Sequence, residues 1–61
     1  MSLQDVFQAV AIRCVSIGCS DDETFAGASC AMFKFKNGKG YKSAIRIGVR
    51  HAVELINERT K

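Results

Sequence analysis

Phe33-Lys34-Phe35-Lys36-Asn37-Gly38-Lys39-Gly40-Tyr41-Lys42-Ser43-Ala44-Ile45-Arg46-Ile47-Gly48-Val49-Arg50 is the stretch on which the fold turns. Apolar and basic residues alternate on either side of its glycines, and a period of two sorts side chains onto opposite faces of a strand. Asn37-Gly38-Lys39-Gly40 suits a hairpin turn opened by Asn and closed by a left-handed Gly. With Gly38-Lys39-Gly40 as the loop, Lys36 lies opposite Lys42, Phe35 opposite Ser43, Phe33 opposite Ile45 and Ala31 opposite Ile47. One face then holds Phe33, Phe35, Tyr41, Ile45 and Ile47, and the other Lys34, Lys36, Lys42 and Arg46. Gly48 marks the break into a last helix from Val49 to about Arg59.

Upstream, Leu3, Phe7, Val10, Cys14 and Ile17 recur at helical steps, with Ser2 as N-cap and Gly18 as the stop. A helix over about residues 2–18 is expected. The resulting fold class is α+β, a helix–hairpin–helix (αββα) domain covering residues 1–61. A two-stranded hairpin is marginal and leaves open edges, so pairing with a second copy into a four-stranded sheet is expected, making the chain a homodimer.

The alternative is a three-helix bundle. Ser20-Asp21-Asp22-Glu23 has the spacing of a capping box. It would open a helix with Phe25, Ala28, Met32 and Phe35 inward and Asn37-Gly38 at its end. A third helix from Tyr41 to Glu58 would follow. Against this reading, Phe33 would face water, and Gly48 would sit mid-helix at a cost of about 1 kcal/mol relative to Ala. The hairpin reading is preferred because a single register separates the large apolar side chains from the charges.

The composition is that of one small globular domain. Of 61 residues, 48% are hydrophobic and 25% charged, with no proline, which argues against disorder. A chain this short buries only about 60% of its unfolded surface, so its stability margin is thin. The charge is segregated. Residues 1–33 carry Arg13 against Asp5, Asp21, Asp22 and Glu23, whereas residues 34–61 carry every other Lys and Arg against only Glu54 and Glu58. No run of about 18 apolar residues exists to span a membrane, and the N-terminal segment does not read as a secretory signal. Cys14, Cys19 and Cys30 are odd in number and irregularly spaced, which suits reduced thiols and a cytoplasmic location.

Lys34, Lys36, Lys39, Lys42, Arg46 and Arg50 form the candidate binding site, six positive charges with no carboxylate among them. Such arrays bind phosphate backbones by neutralising charge and releasing counterions. Exposed lysines that only keep a sheet edge soluble are the plainer explanation. Gly38-Lys39-Gly40-Tyr41-Lys42-Ser43 lacks the spacing of a phosphate-binding Walker loop and reads as a turn.

Cys14, Cys19, Cys30 and His51 lack the paired spacing of zinc ligands, and Cys14 belongs to the helix stripe. No nucleophile, base and orienting acid can be assembled around His51, and Asp21, Asp22 and Glu23 read as a negative first helical turn. A catalytic site, a metal and a cofactor are therefore not expected. The sequence points to a small non-enzymatic nucleic-acid-binding or regulatory protein that uses a basic face. The alternative is an inhibitor or adaptor docking on an acidic protein surface, with Ile12, Val15 and Ile47 as anchors.

Overall fold

The computed structural model describes residues 2–60, which form three helices: α1 (Leu3–Ser16), α2 (Asp21–Lys36) and α3 (Tyr41–Arg59). Among the described residues there is no strand. The expected αββα fold is therefore incorrect, and with it the hairpin edges through which a dimer was expected to form. The arrangement weighed second, three helices, is the one adopted. α2 lies in the middle of the contact network, and α1 and α3 meet over a narrower seam.

Each helix boundary has a local cause. The Ser2 hydroxyl accepts the Asp5 N–H while the Asp5 carboxylate accepts the Ser2 N–H. Ser20 and Glu23 repeat this reciprocal box at the start of α2, at 3.2 and 2.8 Å. Two orphan N–H groups are satisfied at each start.

The C-terminal ends of the first two helices each close on a glycine with positive φ, Gly18 at 91° and Gly38 at 100°. Gly18 N–H donates to Val15 O and Cys19 N–H to Cys14 O. Gly38 N–H donates to Phe35 O and Lys39 N–H to Lys34 O. These are complete Schellman closures, which need the left-handed conformation that glycine adopts without a Cβ clash. The Asn37 side-chain amide adds a 2.7 Å bond to Phe33 O. Asn37-Gly38 thus ends a helix here and does not turn a hairpin.

The core is built from small side chains. Val6, Val10 and Cys14 of α1 are fully buried, together with Ala28 and Ala31 of α2 and Ala44 and Ala52 of α3; Ile45 is nearly so. The α1 stripe is centred slightly off the expected one, because Val6 replaces Leu3 and Ile17 as a core position.

Between α2 and α3 the backbones come close. A Cβ on Gly48 would lie 2.5 Å from Gly27 O and 2.7 Å from the Ala31 Cβ, and one on Gly27 would lie 2.8 Å from Gly48 O. Gly48 is therefore the contact point of two helices and neither a break nor an idle cost. Phe33, which the hairpin placed on a buried face, is 64% exposed.

Glu23 and Arg59 join the start of α2 to the end of α3. Arg59 Nε donates to Glu23 Oε2 at 2.7 Å and its Nη2 to Oε1 at 3.3 Å. No helix among the described residues is long and apolar enough to cross a membrane.

Candidate functional site

α3 presents its basic residues at four-residue steps. Lys42, Arg46 and Arg50 are all exposed on it, and their spacing puts successive charges about 6 Å apart along the axis on one outward stripe. The opposite side of α3 is buried through Ala44, Ile45, Gly48 and Ala52. The sequence thus aims the stripe at solvent by pairing it with a small-residue seam.

Arg13 reaches the same place from α1. Together with Tyr41, Lys42, Ile45 and Arg46 it lines a cleft of about 380 Å³ at the seam between α1 and α3. The lining holds three cations and a phenol and no carboxylate. Among the described residues the Glu23–Arg59 pair is the one ion pair within 4.0 Å, so none of these cations is neutralised by the fold. Tyr41 is half-buried and meets Phe35 edge to face at 6.3 Å, which anchors the aromatic wall of the cleft.

Lys42 stands where a helix favours the opposite charge. It lies in the first turn of α3, whose N-cap Gly40 provides no side-chain hydrogen bond and which has no acidic residue there. α1 and α2 both begin with carboxylates. A cation at this end opposes the helix dipole by about 0.3–1 kcal/mol, so helix stability does not account for it.

The six residues singled out from the sequence do not share one face. Lys34 and Lys36 are about 200° apart around α2; Lys34 is half-buried and Lys36 exposed. In the last turn of α2 both favour the helix dipole, which explains them without a ligand. Lys39 is exposed in the α2–α3 connection. Lys42, Arg46 and Arg50 remain as a group, and Arg13 joins it. Sequence reasoning passed over Arg13 because it is the lone base of the acidic half, and only the packing of α1 on α3 brings it to Lys42.

Among the described residues Cys14, Cys19, Cys30 and His51 are not gathered into a set of three metal ligands. All three cysteines are free thiols. Burial, reinforced by the neighbouring Cys19, pushes the Cys14 thiol up to about 11, which leaves it protonated at neutral pH. Comparison of the chain with protein-family models, with characterised proteins and with solved structures gave no match.

Proposed function

We infer that this chain is a small, non-enzymatic helical module that binds the phosphate backbone of nucleic acid through Arg13, Lys42, Arg46 and Arg50. The observation that carries the reading is the cleft where cations of two helices converge with no carboxylate among them. Two arginines supply planar forks suited to phosphate oxygens, Lys42 a compact charge, and Tyr41 a hydroxyl donor. Arg50 extends the track by about 6 Å along α3. Binding of this kind is independent of base sequence and sensitive to salt.

A second reading is favoured by one observation. Ile12 and Val15 are 70% and 68% exposed on α1, as anchors for an acidic protein partner would be. The same salt titration separates the two readings.

Anisotropy of a labelled duplex should give log K falling with log[salt] at a slope of about −3.6 for four phosphate contacts. Arg46→Ala should reduce the slope by about 1, whereas Lys36→Ala, on the far side of α2, should leave it unchanged. Absence of binding at low salt, or equal loss in both variants, would refute the nucleic-acid reading and leave the protein-docking one.

A further inference from the structure

The side of α2 turned away from α3 carries residues placed symmetrically about Ser29. Asp22 and Lys36 each lie seven residues from it, about 10.5 Å along the axis, and Phe25 and Phe33 each lie four, about 6 Å. Asp22, Phe25, Phe33 and Lys36 are exposed, both phenylalanines at 64%. Ala26 and Ser29 are small enough at the centre for another helix to approach closely. Phe7 supports Phe25 edge to face at 6.1 Å, holding that ring at the edge of the surface.

We propose that this face of α2 binds the same face of a second copy, antiparallel, about a two-fold axis at Ser29. A two-fold interface requires that residue i meet j while j meets i. Reversing one α2 against another brings Asp22 level with Lys36 of its mate at both ends, and Phe25 level with Phe33 at both intermediate positions. The four exposed positions then meet their chemical complements, opposite charge to charge and ring to ring, and Ser29 meets Ser29 on the axis. A parallel pairing would instead set Asp22 against Asp22 and Lys36 against Lys36, which disfavours it.

Neither Asp22 nor Lys36 has an ion-pair partner within the described chain. The strip is bounded by an α2 of 16 residues, about 24 Å long. With a contact width of about 10 Å, one helix diameter, the strip covers about 240 Å², small beside the roughly 800 Å² per partner of a standard interface, so the expected dimer is a weak one that dissociates in the micromolar range. α3 packs on the opposite side of α2, through Gly27 and Ala31, so self-association leaves the basic stripe open. The proposal is thus independent of whether that stripe binds nucleic acid.

Sedimentation equilibrium of the whole chain tests it. Dimer is expected at about 100 µM, dissociating on dilution. Asp22→Lys alone and Lys36→Asp alone each set like charges together at both ends and should weaken association at least about tenfold. The double exchange restores complementarity and should recover the dimer. Circular dichroism would verify that all three variants remain helical, and Phe33→Ala gives an uncharged variant that should also weaken the dimer. A monomer at about 100 µM, or a dimer indifferent to the single reversals or not rescued by the double exchange, would overturn the proposal.

Discussion

Gly48 shows how one missing side chain decides a fold. In an exposed helix, replacing Gly with Ala gains about 1 kcal/mol of intrinsic propensity. Here the added methyl would sit 2.5 Å from Gly27 O and 2.7 Å from the Ala31 Cβ, distances that force α2 and α3 apart. Overpacking of this kind costs about 1–3 kcal/mol, and because the obstacle is backbone and an adjacent helix, little relaxation is open to it. Gly48→Ala is therefore expected to lower the urea midpoint, with a net loss of about 1 kcal/mol after the propensity gain. Gly40, whose added Cβ meets nothing within 4 Å and whose φ is negative, supplies the control. An increase in stability for Gly48→Ala would mean that the helices are not in backbone contact at this point.

The three helices differ most at their starts, and the difference bears on function. α1 and α2 begin with serine boxes closed by a carboxylate, while α3 begins at Gly40 with Lys42 in its first turn. Gly40→Asp would supply the absent cap at a backbone conformation already extended, adding a few tenths to about 1 kcal/mol to α3. The same carboxylate would sit beside the cationic cleft and repel phosphate. Thermal midpoint and duplex affinity should therefore move in opposite directions, the first up and the second down. Parallel changes would separate the start of α3 from binding.

These starts and stops were also the legible part of the sequence. α1 was readable from its stripe, and the Ser20 box and Asn37-Gly38 stop were visible as one of two readings. What misled was the weight given to bulk. Phe33, Phe35, Ile45 and Ile47 alternate at strand period, yet Phe33 lies in water while Gly27, Ala31, Gly48 and Ala52 make the close α2–α3 contact and Ala44 is fully buried on α3. Small residues contribute little to any hydrophobic pattern, although their four-residue spacing on α3 is helical. The stripe of Lys42, Arg46 and Arg50 could be seen at the same spacing. Arg13 could not, since its place at the site depends on how two helices far apart in sequence meet.

Over the whole molecule, the charge segregation along the chain becomes a tie between its ends. The acidic start of α2 and the basic end of α3 meet in the Glu23–Arg59 pair, bridging 36 positions of sequence, and Arg59 also reaches Gly18 O at 3.5 Å. Hydrogen bonding from Arg59, followed by the Ser20 backbone N–H, holds the Glu23 carboxyl below its usual range. A carboxylate depressed in the folded state binds fewer protons there than in the unfolded chain, so stability rises with pH across that interval. The contribution is complete above the ordinary glutamate value of about 4.3 and is lost as pH falls through the lower folded value. Thermal midpoints measured between about pH 7 and pH 2 should fall on acidification. Glu23→Gln, which keeps an acceptor but not the charge, should start lower at neutral pH and decline less steeply. The two curves should converge once Glu23 is protonated. Parallel curves with a constant gap would place the acid sensitivity elsewhere and reduce Glu23 to a helix cap.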